Sequence, residues 1–265
     1  MSDLRAGRSL PAPRHRSVLL SKLYPLHADS SQQSIVEELR RVILSGDVPP
    51  GTVIPVSDVA QHFGVSHIPV REALKSLIAE QLIDHRHNFG YSVAKLTRAE
   101  LTELYVVRGV LEAAALGAAV EMASAEDHAA AEQALLALDQ ANRLDDYRAY
   151  HRESRRFHFA LIVPCRMQRL LSMLDSAWNL TEPYQPMAHI DPSVRLTLHA
   201  EHQEMLSAFT YRDADRLALL AARHQHDLEQ SITTMPADDE LFAAQPRRAS
   251  DLGEPSAPPS AAIPR

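Results

Sequence analysis

The sequence predicts a mainly α-helical protein: a small winged helix-turn-helix domain followed by an antiparallel bundle of about six helices. Three observations carry this. Glycine is scarce, at 8 of 265 residues, and none lies between Gly117 and Gly253, although tight β-turns favour it. Apolar residues recur at helical spacing along most of the chain beyond Thr97. Three short helical stretches near the front are followed directly by two β-prone pieces and a turn, the element order of a winged domain. The composition, 45% hydrophobic and 23% charged, is ordinary globular usage and excludes wholesale disorder. A single cysteine, Cys165, excludes a disulfide framework. No apolar run approaches the ~18 residues needed to span a bilayer, so a soluble cytoplasmic protein without membrane contact is expected.

Each element has a local reason. Residues 1–30 mix Arg, Ser, Pro and His without periodicity and are expected to form a flexible arm. The winged domain is expected over residues 31–96. In Ser34–Leu44, Ile35, Leu39, Val42 and Ile43 share one helix face, and Gly46 supplies the stop. Ser57-Asp58 caps a short helix through His62 with Val59, Ala60 and Phe63 inward, and Gly64 ends it in the left-handed region. Ser66 opens a third helix with the apolar stripe Val70, Ala73, Leu74, Leu77 and Ile78. Leu82–His85 and Tyr91–Ala94 then form a hairpin around Asn88 and Gly90. In the second domain, residues 97–235, Thr97-Arg98-Ala99-Glu100 has capping-box spacing and opens a helix to about Met122. Further helices are expected from Ser124 to Asn142, Asp145 to Val163 and Met167 to Leu180. The last two run from Asp191-Pro192 to Phe209 and from Asp213 to Thr233. Residues 236–265 are rich in Pro, Ala and Ser and are expected to be a disordered tail.

Charge is uneven. Residues 1–95 carry 11 Lys+Arg against 9 Asp+Glu, while residues 96–265 carry 16 against 25. An acidic body repels phosphate, so nucleic-acid contact is expected from the N-terminal third alone. That block holds Gly64-Val65-Ser66, Pro69-Val70-Arg71-Glu72-Ala73-Leu74 and Glu80-Gln81-Leu82-Ile83. In these residues it resembles the DNA-binding domain of GntR-family transcription regulators. The resemblance implies that the Ser66–Ala79 helix enters the major groove and the Asn88–Gly90 wing the minor groove. Ser66 at the helix start suits a phosphate, and Arg71, one turn in, has the fork that reads guanine edges. Lys75 follows on the same side, within reach of the backbone. The sequence departs from the family at His67 and Ser57, where arginine is usual, which predicts weaker phosphate affinity. His67, His85 and His87 would offset part of that loss if protonated; the alternative, expected at neutral pH, is exposed neutral imidazoles making ordinary hydrogen bonds.

In the second domain His158, His202 and His224 each sit in the apolar stripe of a different helix. Buried imidazoles need partners, and one divalent metal would satisfy all three. The segments Arg108…Leu111-Glu112, Phe157-His158-x-x-Leu161, Glu201-His202 and Asp213…His224 resemble the FCD ligand-binding domain of the FadR-type branch. That resemblance implies zinc or nickel held by one Asp and three His, with a small carboxylate effector completing the coordination. Here Ser154 stands where the Asp would be, and serine is a poor ligand. Three readings stay open: a three-histidine site with an open position lined by Ser154; substitution by His151 or Glu153; or no metal, with a polar ligand pocket. His199 and His226 are lesser candidates, His226 at the surface. Arg108, if it faces the pocket, is suited to pair with an effector carboxylate; an interhelix salt bridge or a surface position is the alternative.

The sequence therefore predicts a ligand-responsive regulator, a repressor and homodimer on double-stranded operator DNA, not an enzyme. Two rivals are a metal-free regulator sensing a larger acyl ligand, and a metal-dependent hydrolase. Against the hydrolase, neither His-Glu-x-x-His nor Gly-x-Ser-x-Gly occurs.

Overall fold

A computed structural model describes residues 18–26, 31–235 and 241–245. The N-terminal domain contains α1 (Val18–Lys22), α2 (Gln32–Leu44), β1 (Val53–Ile54), α3 (Val56–Phe63), α4 (His67–Ala79), β2 (Ile83–Arg86) and β3 (Gly90–Val93). The three strands form one antiparallel sheet in the order β1-β3-β2. Leu39, Val42, Ile43, Val59, Phe63, Val70, Leu74, Leu77 and Ile83 form its core. The stripes expected on α2, α3 and α4 are the faces buried here. Gly64 ends α3 at φ +67°, where its N–H reaches the Ala60 and Gln61 carbonyls; a side chain would be strained there. Two details differ from expectation. α3 begins at Val56, ahead of the expected Ser57-Asp58 cap, with Pro55 at the N-cap and no side-chain capping bond. β1 joins the sheet as a two-residue strand, too short to show alternation.

The arm expected over residues 1–30 is partly structured. Leu19 and Leu23 are buried in the N-terminal core. The Tyr24 N–H donates to Glu38 Oε1 at 2.6 Å, and the Arg41 guanidinium donates to the Lys22 carbonyl at 2.9 Å while lying 4.1 Å from the Tyr24 ring centre. One helical turn is too short for periodicity to reveal. The rest of that expectation, residues 1–17 and 27–30, lies outside the described residues.

The second domain contains α5 (Arg98–Met122), α6 (Ala125–Arg143), α7 (Tyr147–Ile162), α8 (Gln168–Thr181), α9 (Pro192–Thr210) and α10 (Ala214–Thr233). Short 3₁₀ turns at Val163–Cys165, Glu182–Tyr184 and Pro186–Ala188 fall at the prolines. Full capping boxes start α5 (Thr97 with Glu100) and α6 (Ser124 with Asp127), and Asp191 caps α9 ahead of Pro192. α5 packs on α8 and α10, α6 on α7 and α9, and α9 on α10. Their shared core includes Tyr105, Leu116, Leu138, Phe157, Leu161, Trp178, Leu198, Met205 and Phe209.

Two segments join the domains. The Glu182–Tyr184 turn reaches α2, the Leu96 N–H donates to the Tyr184 hydroxyl, and Arg148 pairs with Asp47 at 2.7 Å. Part of the tail expected over 236–265 returns to this seam. Phe242 is buried, stacks on Tyr184 with ring centres 5.7 Å apart and sits under the Arg98 guanidinium, and the Ala243 N–H donates to the Leu96 carbonyl at 2.9 Å. Residues 236–240 and 246–265 lie outside the described residues.

Candidate functional site

Two sites emerge, one in each domain. On α4 the buried stripe leaves His67, Ile68, Arg71 and Lys75 exposed. Ser66 is the N-cap, yet its hydroxyl makes no capping bond, so it is free to meet a phosphate beside the helix N-terminus. Arg71 makes no ion pair among the described residues. Lys75 instead pairs with Glu72 on its own helix at 2.8 Å, a bond worth little at an exposed position and easily exchanged for a phosphate. The wing turns through Asn88 (φ +66°) and Gly90 (φ +86°), which puts His85, Arg86, His87, Asn88 and Phe89 in solvent. His85 lies against Tyr91, ring centres 4.5 Å apart.

In the helical domain the three histidines converge. One nitrogen from each of His158, His202 and His224 lies within 4.8 Å of the others. His158 Nε2 is 3.2 Å from His202 Nε2, close to the ~3.3 Å edge of a tetrahedron with metal–nitrogen bonds of about 2.05 Å. Carboxylates stand behind two of the rings: Glu112 Oε2 is 2.8 Å from His158 Nδ1 and Glu201 Oε2 is 2.9 Å from His224 Nδ1. An ionised carboxylate only accepts hydrogen bonds, so each holds a proton on Nδ1 and leaves Nε2 facing inward, the arrangement that supports metal-binding histidines. Burial, then the neighbouring His224, His158 and His199, hold His202 well below the usual histidine range. Burial also lowers His224, against the opposing pull of Glu201. Burial alone would raise Glu112, but His158 and Arg108 outweigh it and bring its carboxyl down to about 2. In their neutral form, imidazoles gathered this way would fit a divalent cation.

Ser154, Arg108, Tyr150 and His151 line the same small chamber of about 20 Å³, room for one water or ion. Arg108 is only 2% exposed. Its guanidinium lies 3.3 Å from the Trp178 ring centre and donates to Thr181 Oγ1 at 3.1 Å, while Nε faces Glu112 at 3.7 Å. Glu153 pairs with Arg152 and Arg156 and does not line the chamber. His151 Nε2 lies 2.9 Å from a Glu182 carboxylate oxygen. His199 is buried beside Asp139, and His226 is exposed. A wider groove of about 350 Å³ between α5 and α10 opens outward, with Glu112, His158 and His224 among its lining residues. Glu112 and Glu201 stand in the segments that carry the FCD resemblance but have no role assigned from sequence, and Trp178 is not singled out there at all. Their partners come from other helices, and sequence spacing carries no trace of that.

Residues 31–93 match the family described as bacterial regulatory proteins, gntR family, and residues 103–227 match the FCD domain. The chain is a GntR-family transcriptional regulator with an FCD domain. This GntR–FCD protein is 27% identical over 212 residues to the regulator BphR of Paraburkholderia xenovorans (strain LB400), covering 77% of the chain and 84% of BphR. It is 26% identical over 197 residues to the repressor GlaR of Escherichia coli (strain K12), covering 70% of the chain and 88% of GlaR. A gluconate operon repressor of Bacillus subtilis (strain 168) is 40% identical over 93 residues, 34% of the chain and 38% of the relative. These relatives are transcriptional regulators, not enzymes. E. coli McbR/YncC shares the fold, with TM-score 0.68, 22% identity and coverage of 77% of the chain and 97% of McbR. No described helix is long and apolar enough to cross a membrane.

Proposed function

We propose that this GntR–FCD regulator is a cytoplasmic repressor that binds operator DNA as a homodimer. A small carboxylate, held with a divalent metal at His158, His202 and His224, tunes its affinity. The convergence of one nitrogen from each of three buried histidines, with carboxylates on the far nitrogen of two of the rings, carries the reading. A metal there would offer an open coordination position to an anionic ligand. The chain's own part is to hold the imidazole tautomers through Glu112 and Glu201 and to present Arg108 to a carboxylate. Ser154 adds a neutral hydroxyl to the chamber wall in place of a fourth charged ligand. Exposed Val106, Val107 and Val110 on α5 suit a second copy, and two copies would present paired α4 helices to a two-fold operator. The repressor sense follows relatives named repressors.

Elemental analysis of purified protein should find about one zinc or nickel per chain, and His202→Ala should lose it. Carboxylates should then raise the melting temperature only with metal present. The apolar lining of the α5–α10 groove, including Val106, Val110 and Met205, favours a second reading, a metal-free regulator of a larger acyl ligand. Metal-free protein stabilised by acyl compounds would select it. Arg71→Ala should weaken operator binding by about 1–3 kcal/mol per half-site while leaving the circular dichroism spectrum unchanged. Unaltered affinity would remove Arg71 from the interface.

A further inference from the structure

Ile68 is the second residue of α4 and is 71% exposed. Residues 68, 71 and 75 are spaced i, i+3 and i+7, so they share one helix face. An isoleucine therefore stands in solvent on the same strip as Arg71 and Lys75, beside the uncommitted Ser66 hydroxyl. Single exposed apolar residues are common on protein surfaces. This one lies within the surface a helix-turn-helix domain turns toward DNA. In the major groove the C5-methyl of thymine is the one alkyl group the bases offer, and apart from the small C5–H of cytosine the rest of the pattern is donors and acceptors. A branched hydrocarbon against those polar edges would strip their water without replacing its hydrogen bonds. Ile is also stiff at χ1, so little entropy is lost when it is fixed.

We propose that Ile68 is a specificity-determining residue that selects thymine at one position of each operator half-site through contact with its methyl group. The proposal rests on α4 lying in the major groove. Arg71 and Ile68 then divide the reading, one by hydrogen bonds to a base edge and the other by hydrocarbon contact, while Ser66 and Lys75 fix position through phosphates.

The test uses the full chain and a duplex that it enriches from a random-sequence pool. Each thymine of that duplex is replaced singly by uracil, which removes the methyl and nothing else. The wild-type protein should lose about fourfold in affinity at one position per half-site, the worth of one buried methyl group, and little elsewhere. Ile68→Ala should be indifferent to uracil there and should enrich duplexes without that thymine, with the salt dependence of binding unchanged because no phosphate contact is lost. Ile68→Val, which keeps a branched methyl, should retain part of the uracil effect. An Ile68→Ala protein that still pays the same uracil penalty, or a wild-type protein indifferent to uracil at every position, overturns the proposal. A wild-type protein that enriches no sequence overturns the groove placement beneath it.

Discussion

Glu38 shows how one side chain can fasten a segment. Its carboxylate accepts the Tyr24 N–H at 2.6 Å and two Arg41 nitrogens at 2.8 and 2.7 Å. Burial would raise its pKa, but Arg41 and the Tyr24 amide outweigh that and hold it below the usual 4.5. A carboxyl depressed in the folded state binds fewer protons there than when unfolded. Its stabilisation is thus complete above about pH 4.5 and is lost as pH falls below that value. Glu38→Gln should cost about 1–2 kcal/mol at pH 7, and melting curves of variant and wild type should converge as the pH is lowered. A gap that persists at low pH would show that shape, not charge, holds Tyr24.

Among the elements, helix starts were legible because they rest on local chemistry. Thr97 with Glu100, Ser124 with Asp127 and Asp191 before Pro192 each satisfy free amides within one turn, and the helices begin where those residues stand. Thr97→Ala should therefore cost about 1 kcal/mol in denaturant unfolding, whereas Thr102→Ala, mid-helix and part-buried, should cost less. The inward facing of His158, His202 and His224 was legible for the same reason, since each continues its own helix's apolar stripe. The carboxylates behind them were not. Glu112 reaches His158 from α5 to α7, and Glu201 reaches His224 from α9 to α10. Those pairings follow from helix packing, which no periodicity within one segment encodes. β1 and α1 escaped for a different reason: two and five residues are below the length at which a period can repeat.

For the whole molecule the decisive region is the seam between domains. The Glu182–Tyr184 turn connects the chamber to the DNA-binding domain: His151, on the chamber wall, has Nε2 2.9 Å from Glu182, and Tyr184 accepts the Leu96 N–H. Gln185 follows at φ +42°, its side chain laid over Gly46 so closely that a Cβ at position 46 would collide with it. Gly46 itself sits at φ +68°. Gly46→Ala should therefore combine backbone strain with overpacking at a cost of about 2 kcal/mol, measured by denaturant unfolding. Tyr184→Phe should leave the Leu96 amide unpaired and cost about 1–2 kcal/mol. That amide should then exchange hydrogen faster while those of the α2 core keep their protection.

The strap formed by Phe242 and Ala243 carries a consequence for biosynthesis. Those residues leave the ribosome after Leu96, Arg98 and Tyr184, which they touch. At about 5–20 residues per second, a folded N-terminal domain waits on the order of ten seconds before the last of its seam contacts can form. During that interval fewer contacts hold the two domains of a nascent chain together than in the finished polypeptide.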